Sequence, residues 1–548
     1  MLAYALLLLP LASTFLTYLF GRGEERRISS ISLSVSFLTF LSSLFLLLSF
    51  IRYSSYEVSI WGFFTLRVDP LSVVMAIAVS GISLIVHKYS VRYMQDDEGY
   101  ARFFSLLGLM TFSILLTVLA GDLLLLFTGW TAIGVILFFL LGHDVKNREA
   151  GRYAIWTFIT QRLGDIFLFG AIVLLYREYG TFKFGELFER ILSGGGEGLE
   201  LVGLLIVLSA FAKSAQFPLH LWLPYTMGGP TPVSALMHAG IVNAGGFLIN
   251  RFSPVFYHAE MGLHIAFWIG LATAILGSTL MLIQSDVKRA LGYSTMGQMG
   301  YMIMECGLGA FALAIYHLIA HGIFKATLFM SSGSVIHNAR KDPNIPEDEV
   351  YSFFVKRSLP ATRVPWIVFA LITVSVPLIV VVLAHSVAGV EIFKYQGAII
   401  LLFFGWITGA QTIFSIYKIG ARSVYRLLFF TVLSFSVVVL GYVFLGHSFE
   451  KFLYPDKNFV ERIYENASIH PTLFELQVFL LALVVVAGWV FVYYANQRKE
   501  VLLERLKVIS SFIYVHLYRE LYMRELVSLV GSFLERFSLK LNKLMRWV

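Results

Sequence analysis

The chain has 548 residues, of which 58% are hydrophobic and only 14% charged, with a net charge of +8 and a mean hydropathy of +0.76. That apolar content exceeds the needs of one water-soluble core and falls in runs of about 20 residues, the length that crosses a bilayer, so the chain reads as a polytopic membrane protein. The lysines and arginines lie mostly between apolar runs and in residues 497–548, the distribution expected of a membrane protein rather than a nucleic-acid binder.

In chain order, the first apolar run, residues 2–20, is followed by Arg22, Arg26 and Arg27. That order is the reverse of a signal peptide and predicts a retained first span with the arginines in the cytoplasm. Further spans are expected near 28–51, 70–87, 103–119, 122–141, 153–176, 199–216, 233–250, 262–283, 290–305, 310–333, 364–388, 397–418, 427–445 and 473–495. The total is about 15, with 13–15 as the range that merging and splitting of neighbours allows. Lys88, Arg92, Arg102, Lys146, Arg148 and Arg152 agree with the orientation, whereas Arg177, Lys183 and Arg190 fall on the other side. The expected fold is thus all-α, with one transmembrane domain over residues 1–496. Residues 497–548 carry Leu503, Leu506, Ile509, Ile513, Leu517, Leu521 and Leu526 at helical spacing among charged residues. They suit a basic amphipathic helix on the membrane or on a partner, and a solvated tail is the plain alternative.

Two spans look interrupted. Pro218, Pro224, Pro230 and Pro232 follow Lys213, and Pro377 lies inside residues 364–388. Proline removes a backbone donor and clashes with the preceding turn, so within a membrane it frees carbonyls that need protein or water partners. Singly, such prolines are tolerated kinks; four within 15 positions (218 to 232) cannot belong to one continuous helix.

The chemistry lies in ionisable residues inside these spans. His317, His321 and Lys325 recur every four residues, so on a helix they form one polar ladder about 12 Å long. Ionisable groups in hydrocarbon are costly and mark ion or proton pathways. Histidine titrates near neutrality, and desolvation brings lysine toward the same range. The His pair has no evident third ligand, which argues against a metal. Lys213 sits where a span breaks, and His238, with Ser234 and Asn243 on neighbouring turns, is placed to link it to the ladder. The plain alternatives are a snorkelling Lys213 and a hydrogen-bonded core His238. Arg162 and Asp165 are i, i+3 partners, and Asp165 is also a candidate counter-charge for Lys213. Glu305 and Cys306 are expected at a span end with no role. A single cysteine excludes an internal disulfide and a thiolate zinc site. No hydrolase triad, P-loop, haem or flavin signature occurs, so the chain is not expected to be a catalyst alone or to hold a cofactor.

VDPLSVVM from Val68, KYSVRYMQDDEGYARFF from Lys88, AKSAQFPLHLWLPYTMGGPTPVSALMHAG from Ala212 and SDVKRALGYSTMGQMGY from Ser285 resemble the proton-translocating antiporter-like subunits of respiratory complex I and of multisubunit cation/proton antiporters. The resemblance covers roughly residues 60–340. It implies two inverted five-helix repeats, each with a broken helix, and a hydrophilic axis carrying Lys213, His238, His317, His321 and Lys325. It also marks departures. The segment GWTAIG at 129–134 has Thr131 where the family carries a glutamate, and the family lysine is missing near Pro377, with His385 close to that position.

HAGIVNAGGFLINRFSP from His238 and MECGLGAFALAIYHLIAHGIFKATLFMSSGSV from Met304 further resemble the DabB branch, the membrane subunits of two-component inorganic carbon transporters. That resemblance implies a prokaryotic inner-membrane subunit conducting protons or sodium ions. It also implies a large zinc-containing, carbonic-anhydrase-like partner of the DabA type that hydrates CO2 and accumulates bicarbonate. Two rivals stay open at this point: a subunit of a cation/proton antiporter or complex I-like oxidoreductase, and a non-conducting anchor for a soluble enzyme.

Overall fold

A computed structural model describes residues 2–20, 24–60, 64–284, 286–341, 424–476 and 511–523, with short stretches between 375 and 401 and isolated positions elsewhere. Among the described residues, ten helical segments are long and apolar enough to cross a membrane. The chain opens with α1 (Leu2–Phe20) and α2 (Glu25–Tyr53), followed by a hairpin the all-α expectation did not include. Strand β1 (Tyr56–Ile60) pairs antiparallel with β2 (Phe64–Val68), Tyr56 opposite Val68. The alternation in FTLRV was its only sequence signal, too short to stand out among long apolar runs.

Capping residues fix where the next helices begin. For α3 (Pro70–Tyr93), the Asp69 carboxylate accepts from the Ser72 N–H while the Ser72 hydroxyl accepts from the Asp69 N–H, and proline fills the first helical position. After α4 (Tyr100–Leu119), α5 (Leu123–Leu141) starts at Asp122. The Asp122 carboxylate accepts from Leu125 N and from Thr65 N, both at 2.7 Å, which ties the helix to the hairpin. The long α6 (Arg148–Tyr179) stops at Gly180, whose φ of 66° suits a residue without Cβ. The short α7 (Phe184–Gly194) buries only Phe184, Leu187, Phe188 and Ile191, one face.

Helix α8 (Leu199–Lys213) ends at the lysine, too short to span a bilayer. The chain then turns through α9 (Trp222–Tyr225) and re-enters as α10 (Thr231–Leu236), a π-helical turn at Met237–Ile241, and α11 (Ala244–Arg251). The four prolines thus produce the interruption read from the sequence. A short α12 (Ser253–Phe256) leads to α13 (Met261–Ile283), α14 (Val287–Gly307) and α15 (Phe311–Lys341). Beyond these, α16 (Val424–Leu453) and α17 (Lys457–Asn466) complete the well-described part. Most of residues 364–388, including His385, lies outside the described residues, as does most of the expected C-terminal helix. Of that helix, residues 511–518 are helical, and Glu520 is buried with both carboxylate oxygens 2.6 and 2.7 Å from the Tyr225 hydroxyl that donates to them.

Helices α13 and α14 approach backbone to backbone. A Cβ added at Gly277 or Gly300 would lie under 3.0 Å from backbone atoms of the facing helix, at Gly297 and Ala274 respectively. Gly300→Ala is therefore expected to cost about 2–3 kcal/mol through overpacking. Gly151→Ala, where nothing lies within 4 Å, is expected to be neutral or slightly stabilising. Thermal unfolding of the two variants in detergent or nanodiscs checks the contrast.

Candidate ion path

The site begins at the end of α8. Lys213 is 1% exposed, and its Nζ donates to the Trp130 carbonyl at 2.7 Å and to Gln161 Oε1 at 3.3 Å. It also lies 4.6 Å from the Trp130 ring centroid, a cation–π placement. On α6, Arg162 pairs with Asp165 at 2.9 Å, and its Nη2 donates to the Thr131 carbonyl at 2.9 Å. A Cβ on Gly134 of α5 would collide with both Arg162 and Gln161, so the glycine makes room for them. Asp165 is buried and close enough to Lys213 for their charges to interact, although the carboxylate's direct ion pair is with Arg162. The buried Thr131 hydroxyl adjoins Asp165. Two cations and one carboxylate thus share a pocket walled by α5, α6 and α8. The excess positive charge is met by carbonyls, an amide and an indole face.

Immediately after the lysine, the Ser214 hydroxyl donates to the Val242 carbonyl at 2.6 Å and accepts from Gly245 N at 3.1 Å. That bond pins the break to the interrupted span that carries His238. Proline at 232 and the π turn place His238 in a widened part of the helix, where extra backbone room often accompanies function. The His238 ring is fully buried and stacks on Phe329 of α15, centroids 4.2 Å apart. Neither ring nitrogen has a hydrogen-bond partner among the described residues, and neither does the buried Ser234 hydroxyl. Asn243 donates to the Ala239 carbonyl at 2.7 Å, and its own Oδ1 has no partner among the described residues. The charge of Lys325 reaches His238, which sets the histidine against the ladder.

On α15, His317 and His321 sit 6.1 Å apart between ring centroids. His317 Nδ1 is 3.1 Å from both Glu305 oxygens, and its Nε2 is 3.0 Å from Gln298 Oε1. His321 is buried, with both ring nitrogens unpartnered among the described residues. Lys325 Nζ donates to Ser294 Oγ at 2.8 Å and is 2% exposed. The reading of Glu305 as an interfacial bystander is therefore corrected. Its carboxylate is buried and holds His317, because α14 and α15 run back to back at that end. Ser294, Gln298 and Glu305 fall within about 40° on one face of α14, and that stripe was legible in the sequence once paired with the ladder. Trp130 and Gln161 gave no comparable signal, since one acts through its backbone and the other is a lone amide.

Similarity to known proteins shows the family of the chain. Residues 120–412 match the family described as NADH:quinone oxidoreductase/Mrp antiporter, transmembrane, and residues 61–104 match the N-terminus of complex I chain 5. The chain is 49% identical to the probable inorganic carbon transporter subunit DabB1 of Halothiobacillus neapolitanus, over 98% of each chain. The chain belongs to this antiporter-like family, in its DabB branch. Against NADH-quinone oxidoreductase subunit L of Escherichia coli it is 41% identical over 52% of its own length, and it spans only 47% of that relative. Among solved structures, a chain of the Mrp complex from Dietzia sp. superposes with a TM-score of 0.59 at 22% identity. That match covers 98% of this chain and 63% of the other, and it shows the fold. Like other members of the DabB branch, the chain is a prokaryotic multi-pass membrane protein. Among the described residues no group of three or more His, Cys, Asp or Glu is placed to hold a metal ion.

Proposed function

We propose that the chain is the ion-conducting membrane subunit of a two-component inorganic carbon transporter. Protons or sodium ions move along Lys213, His238, His317, His321 and Lys325, and a zinc-containing, carbonic-anhydrase-like partner uses that movement to hydrate CO2 and accumulate bicarbonate. The observation that carries the reading is the 49% identity with DabB1 across 98% of both chains, where the respiratory relative matches about half. The geometry supports it physically. Each lysine of the path donates to neutral acceptors, Trp130 O and Gln161 Oε1 for Lys213 and Ser294 Oγ for Lys325, an environment in which a lysine can lose and regain a proton. Among the described residues the imidazoles of His238 and His321 keep both nitrogens uncommitted, as a relay requires.

Within this reading, Asp165 takes the part of the missing carboxylate. Thr131 stands where the family carries a glutamate on α5, and Asp165 reaches the same pocket from α6 with Arg162 as its partner. Residues 1–496 form the transmembrane unit, built on two inverted repeats of which α8 to α11 contain the first broken helix. The basic segment 497–548 lies along the membrane or the partner, with Glu520 anchoring it to α9. His385 is the auxiliary group of the second repeat.

Coupling requires that ion occupancy and partner state bias one two-state element, and the broken helix with its π turn is that element. The deciding experiment is affinity purification of the chain from its native membrane, followed by metal analysis. One large partner carrying about one zinc per complex is expected. Recovery with several small membrane subunits and no zinc would replace this reading with that of an antiporter subunit. Unchanged ion flux in proteoliposomes when the ladder is mutated would leave only an anchor.

A further inference from the structure

The C-terminal segment enters the bundle at a single side chain. Among the described residues 511–523, Glu520 alone is buried, at 4% exposure, while Phe512, Ile513, Tyr514 and Tyr518 stand out from the surface and Leu517 rests partly buried on the core. Burying a carboxylate is costly unless its oxygens are bonded. Both oxygens of Glu520 lie on the Tyr225 hydroxyl, at 2.6 and 2.7 Å, and Tyr293 of α14, itself fully buried, is within charge range of the same group. The Arg289 guanidinium, also from α14, sits 5.0 Å from the Tyr225 ring centroid, which puts a positive charge beside the pair.

Tyr225 occupies a telling position. It ends α9, inside the interruption that separates Lys213 from His238, and its ring also stacks on Tyr153 of α6, centroids 5.1 Å apart. Through Tyr225, one carboxylate ties the connection between the two halves of the broken span to α6 and to α14. The residue after Tyr293 on α14 is Ser294, the acceptor of Lys325. A broken span that switches during transport has to be free to move at this connection.

The backbone that delivers Glu520 is strained. Glu520, Leu521 and Tyr522 take φ values of 55°, 55° and 60°, the left-handed region that residues with a Cβ rarely enter even singly. A run of three persists only where a contact holds it, and strain of this kind gathers at switch regions. A permanent anchor has no need of it, since many apolar contacts on a relaxed helix would hold the segment better. One buried carboxylate, apolar side chains left exposed and a turn that gains by relaxing together describe a fastening that opens. We propose that residues 511–523 are a latch: Glu520 docked on Tyr225 holds the broken span in place, and its release frees α9 and the turn around His238 to move. Glu520 is thus a positioning residue, acting through Tyr225. Any effect of the latch on ion flow rests on the conducting role proposed above, whereas its hold on α9 does not.

Hydrogen–deuterium exchange of the full chain with its co-purified partner in nanodiscs tests the latch independently of flux. Tyr225→Phe keeps both ring contacts and removes the donor, and Glu520→Gln keeps the shape and removes the charge. In each variant, exchange in residues 511–523 and 222–241 is expected to rise about fivefold or more, and in the double variant no further than in the single ones. Tyr518→Phe, at an exposed ring, is expected to exchange as the parent does. Parental exchange at 222–241 in a Tyr225→Phe or Glu520→Gln variant that thermal unfolding shows to be folded overturns the latch, as does a double variant in which the two effects simply add. In proteoliposomes under an imposed pH gradient, the same two variants are expected to leak ions about fivefold faster than the parent. A conducting parent matched by variants whose exchange is raised also overturns the latch. A parent with no flux at all counts instead against the conducting role, and exchange then decides the latch by itself.

Discussion

Lys213→Ala and Lys325→Ala are each expected to reduce ion-driven carbon accumulation to about one hundredth of wild type or less, the range in which proton-transfer groups contribute. Each substitution removes the buried amine at its station and leaves the acceptors behind, Trp130 O and Gln161 in one case and Ser294 in the other. Because the lysines are buried and held by neutral partners, their loss strands no opposing charge, so both variants should still insert and fold. CO2-dependent growth rescue measures the function, and immunodetection in the membrane fraction measures insertion. Lys325→Arg refines the point. Arginine keeps the positive charge and cannot release a proton, so a conducting ladder should remain blocked in that variant. Rescue by either alanine variant at wild-type rate would remove the basic axis from the mechanism.

Asp165→Asn is expected to have an effect of similar size and a different signature. The change leaves Arg162, half-buried and also bonded to the Thr131 carbonyl, without its carboxylate, and breaking a buried ion pair costs about 3–5 kcal/mol. The variant should lose both proton flux and thermal stability, unlike the lysine variants. Because the Thr131 hydroxyl adjoins the same carboxylate, a glutamate at that position would return negative charge to the pocket. The double variant Thr131→Glu, Asp165→Asn is thus expected to regain stability and part of the flux, measured with a pH-sensitive dye in proteoliposomes. If Asp165→Asn conducts normally, Asp165 serves only to neutralise Arg162 and the carboxylate role passes elsewhere.

These two expectations draw on different amounts of sequence information. The ladder was readable because charge inside an apolar run is conspicuous and because a spacing of four puts His317, His321 and Lys325 on one face. The break after Lys213 was readable from four prolines. The hairpin at Tyr56–Val68 was not, since two five-residue strands leave little periodic signal between long spans. Nor could the sequence say who holds whom. Glu305 looked interfacial because it precedes glycines at a span end, and only the antiparallel return of α15 brings His317 onto it. The Arg162–Asp165 pair was readable from its i, i+3 spacing, and Asp165 does lie within charge range of Lys213, but that the lysine's hydrogen bond goes to a carbonyl of α5 was not. Such choices depend on which helices become neighbours, and local pattern carries little of that.

The glycine seam between α13 and α14 limits how the path can move. Ser294, Gln298 and Glu305 all belong to α14, and α14 packs on α13 so closely that Gly277 and Gly300 leave no room for even a methyl group, a close-packed contact that resists displacement. The acceptors are in effect a stator. Any switching of contacts during the transport cycle therefore falls to the groups facing them, the side chains of α15 and the loosened turn around His238, so cross-linking α13 to α14 should leave turnover intact whereas fixing α15 to α14 should stop it.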